Sequence, residues 1–251
     1  MGAAILLAAL AGLMLGSFVT VVGYRLPRGE SVVGGRSHCT TCGAKIPAYD
    51  NVPVLSWLFL RGESRCCGDR ISARYPLTEA GLAVLYVAVV AVFWGDAMEI
   101  ALGLVFVTML MAITLTDLDR RIIPNKVLLV AGAAAVVIVA IGDPGSFPER
   151  AIAAAAAGGI FFLAALAYPK GMGLGDVKLA AVMGLFLGRN VAPALIVALL
   201  AGSLVGIVII AREGAAARKR ALPFGPFLAF GGVVGLLLGD QLVHLYLTTL
   251  T

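Results

Sequence analysis

Residues 98–126 read MEIALGLVFVTMLMAITLTDLDRRIIPNK. The stretch 98–116 carries a single charged residue, and its length is close to the roughly 20 apolar residues that a helix needs to cross a bilayer. It stops abruptly at Asp117, after which Asp119, Arg120, Arg121 and Lys126 crowd together. Runs of the same kind recur at 3–24, 77–95, 127–142, 151–168, 191–211 and 227–248, and a shorter one at 177–188 follows a glycine-rich break. The whole composition agrees: 61% hydrophobic, 13% charged, mean hydropathy +1.01. A soluble domain usually carries about a quarter charged residues. Ala, Gly, Leu and Val dominate without two-residue alternation, which favours helices over a β-barrel. The expected fold is an all-α polytopic membrane protein with about eight transmembrane helices and one cytosolic segment resembling a metal knuckle.

The ends of these runs predict an orientation. Residues 1–24 lack Lys and Arg, while Arg25 and Arg28 follow. A cleavable signal peptide has the opposite order, so the first run is expected to stay as a helix with its N-terminus outside. Eight crossings then make 25–76, 117–126, 169–178 and 212–226 cytosolic. These segments hold 17 of the 19 Lys and Arg, leaving only Arg150 and Arg189 elsewhere. Such asymmetry is the signature of cytoplasmic loops. The net charge of +5 therefore reports topology rather than nucleic-acid binding, and no interleaved basic and aromatic residues suggest otherwise.

All four cysteines, Cys39, Cys42, Cys66 and Cys67, fall in segment 25–76. A cytosolic setting disfavours structural disulfides. Cys39-Thr40-Thr41-Cys42-Gly43 has the spacing of a zinc knuckle, in which two thiolates chelate one ion from a tight turn. The second pair is the adjacent Cys66-Cys67, whose side chains are expected to diverge, so the full ligand set stays open; His38 is a poorly placed substitute. Unliganded thiols are the competing reading. A metal staple suits a segment too short for a core of its own.

Carboxylates at the edge of a membrane usually reflect function. Asp117 closes one apolar run and Asp176 opens another, in Gly173-Leu174-Gly175-Asp176, and the crossing count brings both to the cytosolic face. Two carboxylates within a few ångströms cannot both ionise. The charged one can draw a proton from a water attacking a peptide carbonyl, while the protonated one polarises the carbonyl and assists the leaving amine. The glycines before Asp176 are expected to give an extended substrate room. Taken singly, Asp176 reads as a helix cap, and Asp117 with Asp119 as part of a solvated charge cluster.

Longer motifs surround these residues. They are Gly16-Ser17-Phe18 through Tyr24-Arg25-Leu26-Pro27, Asp50-Asn51-Val52-Pro53-Val54-Leu55-Ser56-Trp57-Leu58 with Leu60-Arg61-Gly62, Ile71-Ser72 with Arg74-Tyr75-Pro76, and Pro223-Phe224-Gly225-Pro226-Phe227. In this order they resemble the bacterial type IV prepilin peptidases, membrane aspartic proteases of the GxGD type. The resemblance implies that Asp117 and Asp176 are catalytic and that Asp119 is an acidic neighbour. It implies cleavage of the short basic leader of type IV prepilin or pseudopilin precursors at the cytosolic side of the bacterial inner membrane. N-methylation of the new N-terminus by S-adenosylmethionine follows in the family. The implied organisation is a first helix at 1–24, a methylation-associated segment at 25–76 and a protease core at 77–251. This chain departs from the family at Thr20, where Asn is usual, and at Ser64, which takes the third cysteine's place and leaves Cys66 displaced. Glu79 fits the family's Arg-Tyr-Pro-x-x-Glu, where methyl transfer and a structural ion pair are both open roles.

A proton-coupled transporter using Asp117 and Asp176 is the reading from another class, but it predicts paired repeats with matching broken helices. Only one break, at 169–176, is visible. A methyltransferase without protease activity leaves the aspartates unexplained, and no glycine-rich nucleotide loop is present.

Overall fold

The computed structural model describes residues 1–34, 37–169, 172–214 and 222–250. Arg36, Lys170, Arg218, Lys219 and Arg220 of the charge count lie outside the described residues, as does Gly171. Nine α-helices are formed among the described residues: α1 Gly2–Arg25, α2 Leu55–Phe59, α3 Arg74–Val92, α4 Ala97–Arg120, α5 Asn125–Gly142, α6 Phe147–Ala167, α7 Leu174–Leu187, α8 Val191–Glu213 and α9 Gly225–Leu250. Seven stretches of the described residues are long and apolar enough to span a membrane. The sixth of them, Leu174–Glu213, is two helices, α7 and α8, divided by a 3-10 turn at Gly188–Asn190. Gly188 has φ +53°, a left-handed conformation that favours glycine, and it ends α7 after 14 residues. At 1.5 Å per residue α7 is only about 21 Å long, short for a crossing, as the sequence suggests. The chain is an integral membrane protein. Large apolar side chains on the outer helix faces, such as Leu129, Val130 and Ile141 on α5, are left exposed for lipid.

The chain divides into two compact units, Met1–Trp94 and Gly95–Thr251. In the first, α1 and α3 run antiparallel: Gly12 lies against Ala83 and Gly16 against Glu79. An ideal Cβ on either glycine would sit 2.5 or 2.6 Å from the opposing Cα. These two small residues, four apart, let the backbones touch. Gly16→Ala is therefore expected to destabilise this pair by at least the roughly 1–3 kcal/mol of an overpacked contact. A lowered thermal midpoint of the detergent-solubilised protein would register it, whereas Gly2→Ala, which has open space around it, should change nothing.

The second unit is built from antiparallel neighbours. Gly142 of α5 meets Met98 of α4, Gly184 of α7 meets Ala154 of α6, and Gly231 of α9 meets Ala194 of α8. This places the end of α4 and the starts of α7 and α9 at one end of the unit. At the other end the buried Arg150 caps α7, donating to the Phe186 carbonyl and pairing with Glu99. Arg150 thus serves the fold, being held by the charge and the carbonyl it neutralises.

Candidate active site

Asp117 lies three residues inside α4, not at its end as the sequence suggests. The helix continues to Arg120 and stops because Arg121 turns left-handed (φ 55°, ψ 44°), its amide capping the Asp117 carbonyl. The chain then reaches Pro124 and enters α5. One helical turn beyond the expected boundary is enough to draw the Asp117 side chain inward, where it is 6% exposed. Its Oδ2 accepts the backbone N–H of Gly225 at 2.8 Å, at the first residue of α9. Asp119, two residues on, is exposed beside Arg120 at 4.0 Å. The structure thus separates the two acids that the sequence places side by side.

Asp176 is the third residue of α7 rather than its cap. Its Oδ2 accepts the N–H of Gly173, the N-cap residue, at 3.2 Å, a carboxylate reaching back to the helix start. The capping expectation therefore holds in a modified form, with Oδ2 committed to the helix start. Asp117 and Asp176 stand close enough to act on each other electrostatically. Gly175 does not open space for a substrate, as expected above. Its missing side chain is filled by Ile123, whose Cβ lies 3.1 Å from where a glycine Cβ would be. That contact ties the loop after Asp117 to the helix that carries Asp176. Lys178 adds a second tie, donating to Asn125 at 3.0 Å.

The cysteines lie in the first unit, in two turns of the same design. Gly43 N–H bonds to the Cys39 carbonyl and Cys39 N–H to the Ala44 carbonyl; Gly68 N–H bonds to the Ser64 carbonyl and Ser64 N–H to the Asp69 carbonyl. Both glycines are left-handed, at φ +73° and +71°. Short antiparallel bridges, His38 with Lys45 and Glu63 with Arg70, flank the turns. In this register Ser64 matches Cys39, and Cys67 matches Cys42. Cys66 nevertheless joins the group: its Sγ lies 3.3 Å from that of Cys42 and 3.9 Å from that of Cys67, and Cys39 is 3.7 Å from Cys67. The expected divergence of adjacent cysteines is not seen, because the turn at Gly68 folds both sulfurs inward.

All four sulfurs fall within 4.8 Å of one another. A tetrahedral zinc with Zn–S near 2.3 Å needs sulfurs about 3.8 Å apart, and the set is gathered close to that spacing. The protonation pattern points the same way. The amides of Cys42 and Thr41, with the Ser64 hydroxyl, bring Cys39 down to about 6. For Cys42 the Ala44 amide pulls downward, but the Cys66 thiol, burial and the Cys39 and Cys67 sulfurs push it up to about 12. Without a cation the sulfurs cannot all be thiolates; a divalent metal would displace the remaining protons. Purified protein is expected to hold one zinc per chain. Elemental analysis should show it lost in Cys39→Ser and Cys66→Ser and kept in Ser64→Ala, whose hydroxyl lies 3.0 Å from Cys66 but outside the set of four.

A polytopic helical membrane protein with a carboxylate pair at one end of its second unit and a four-cysteine knuckle in its first is a narrow class. Comparison with known proteins narrows it further. The model described as the bacterial peptidase A24 N-terminal domain matches residues 10–93, and that of the type IV leader peptidase family matches residues 104–211. The prepilin leader peptidase/N-methyltransferase of Bacillus subtilis (strain 168) is 34% identical, covering 94% of this chain and 95% of its own. Those of Pseudomonas putida and Aeromonas hydrophila are 35% and 34% identical, covering 95% and 94% of this chain and 92% and 91% of theirs. No solved structure matches. The chain belongs to the type IV leader peptidase family, as the order of its motifs implies.

The sequence reading missed one participant at this site, the Gly225 amide. The signal was present in Pro223-Phe224-Gly225-Pro226, but a backbone donor 108 positions from its acceptor leaves no trace in spacing.

Proposed function

We propose that this chain is a membrane aspartic endopeptidase that removes the short basic leader of type IV prepilin or pseudopilin precursors, and that it then N-methylates the new N-terminus with S-adenosylmethionine. The observation that carries the protease half is the pairing of a buried Asp117 with Asp176 at one end of the second unit. The names of the relatives support both halves.

In this reading Asp117, held through Oδ2 by the Gly225 amide, keeps an orientation it would otherwise lose to rotation about its side chain. One carboxylate of the dyad, charged, takes a proton from water as it attacks the scissile carbonyl. The other, protonated, donates to the carbonyl oxygen and then helps protonate the leaving amine. Family membership sets the transporter reading aside. Cys39, Cys42, Cys66 and Cys67 would hold a structural zinc whose role is to staple the cysteine segment, with no part in peptide hydrolysis.

The same reading places the protein in the bacterial inner membrane, with its N-terminus outside and the dyad on the cytosolic side. Arg120, Arg121, Lys126 and Lys178 gather at the dyad's end of the second unit, as expected for a cytosolic face. The test is incubation of the full chain, in lipid nanodiscs, with a pilin-like precursor and S-adenosylmethionine, followed by mass spectrometry. Loss of the leader and gain of one methyl group on the product are expected. An intact precursor would refute the protease reading, and a cleaved but unmethylated product the second half.

A further inference from the structure

The segment between α1 and α3 folds back against those two helices. The Val54 N–H donates to Glu79 Oε2 at 2.7 Å, and Glu79 is buried on α3, five positions past its first residue, Arg74. At 1.5 Å per residue that is about 8 Å along the helix. Leu77 stands two positions nearer the start of α3 and is 71% exposed, so the lipid-facing surface of α3 begins before this level is reached. The packing of Gly16 against Glu79 puts the same level on α1 nine positions short of its end at Arg25. The tie is enforced. Val54 has φ +61° and ψ −50°, and the Leu55 amide bonds back to the Pro53 carbonyl at 2.6 Å. That is a γ-turn of the strained hand on a β-branched residue, and such strain is kept where surrounding structure over-determines it.

α2 starts at this tie. With 3.6 residues per turn, Leu55, Leu58 and Phe59 share about 100° of its circumference, and Trp57 is nearly opposite. Trp57 is turned to the protein. Its Nε1 donates to the Ile71 carbonyl at 2.9 Å, and Gly62, left-handed at φ +75°, lies so close that a Cβ would be 3.0 Å from the indole. Ile71 precedes α3, so the indole reaches back towards the point where that helix starts. The opposite face of α2 is thereby turned to the side where α3 runs into the bilayer. The three side chains on that face are 52%, 57% and 83% exposed. Large apolar side chains left exposed together mark an interaction surface.

We propose that α2 is an interfacial helix, seated in the headgroup and upper acyl layer of the bilayer that α1 and α3 cross, with Leu55, Leu58 and Phe59 as its lipid contacts. The depth fits, since helices of this kind bury their apolar face by about 5–10 Å. Arg61, exposed at the turn after α2, adds a charge of the sign that anionic headgroups attract. Five residues are few to hold a membrane by apolar area alone, but here the Val54 tie to a spanning helix fixes the level. The second cysteine turn follows α2 directly, so it is held beside the membrane rather than on a free tether.

The test uses the full chain at one copy per nanodisc, without a precursor. The lipids carry a photoactivatable diazirine either near the headgroup or at the acyl terminus, and labelled peptides are read by mass spectrometry. Residues 55–59 should take the near-headgroup label within about 3-fold of the α5 stretch that holds the exposed Leu129 and Val130. Their ratio of near-headgroup to terminal label should exceed that of Val84, exposed deeper on α3, by about 3-fold or more. Labelling of 55–59 by a water-soluble diazirine, with neither lipid probe reaching it, overturns the proposal. Protection from all three probes also overturns it, because that is the result of a covering protein surface.

Discussion

Asp117→Asn and Asp176→Asn are each expected to reduce leader cleavage by about 10³-fold or more, the scale set by removing a general acid–base group. Asparagine keeps the shape and one acceptor oxygen of aspartate but cannot take or release a proton. The Gly225 amide at position 117 and the Gly173 amide at position 176 can therefore still be accepted, and the fold should survive. This separates chemistry from structure. Were Asp176 only a helix cap, Asn would replace it with little loss. The double variant should be no worse than either single one, because two groups acting as a unit lose their function together. Asp119→Asn, exposed beside Arg120, should stay within about 3-fold, the small effect of losing a solvated surface pair. Initial rates on a purified precursor measure all four, and robust cleavage by Asp176→Asn would refute the dyad.

Much of this site is legible from sequence because a membrane simplifies the reading. An apolar run has a known length, so its ends mark two surfaces, and residues far apart in sequence can be assigned to one of them. That logic brought Asp117 and Asp176 together across 59 positions. It also expected a short helical run at 177–188 from the charge asymmetry, and α7 forms there. The reading failed where backbone geometry decides. Hydropathy ends at Thr116, but hydrogen bonding carries α4 on to Arg120, so Asp117 is inside a helix rather than after it. The adjacent cysteines were expected to diverge. A left-handed Gly68 folds both inward, and the matching bonds at Gly43 show that Ser64, not Cys66, occupies the turn position of Cys39. Gly175, expected to leave space for a substrate, is filled by Ile123. In each case a side chain's destination depended on a dihedral angle that composition does not carry.

The motif residues act in two ways. Gly12, Gly16 and Gly62 act by absence, letting a helix or an indole approach closely, so their substitution costs packing. Val54 and Gly225 act through a backbone N–H aimed at a buried carboxylate. The parallel is chemical: in each unit a main-chain donor fixes one oxygen of an acid and leaves the other to its surroundings. A main-chain donor cannot rotate away, so it holds an orientation more firmly than a side-chain partner would.

That makes Gly225 the most informative residue outside the dyad. Gly225→Ala is expected to lower kcat for leader cleavage by about 10- to 100-fold, on the scale by which a misplacement of about 1 Å reduces a reaction. The N–H that bonds Asp117 is retained in this variant. What changes is a new Cβ, which would sit 2.8 Å from Asp117 Oδ2 and 3.1 Å from its Cβ and Cγ. The carboxylate is buried and cannot swing to solvent, so either it rotates away from its donor or the start of α9 moves back. Both displace Asp117 relative to Asp176. KM should change little, since Gly225 in this reading touches the aspartate and not the precursor, and a fall in kcat alone is the signature of a lost transition-state interaction. Gly159→Ala, with nothing within 4 Å, is the matched control and should cleave at the wild-type rate. Methylation of a peptide supplied already cleaved should also persist in Gly225→Ala, which shows that the chain is folded. A variant that keeps full kcat would mean that the Asp117 orientation set by Gly225 is not the one used in cleavage.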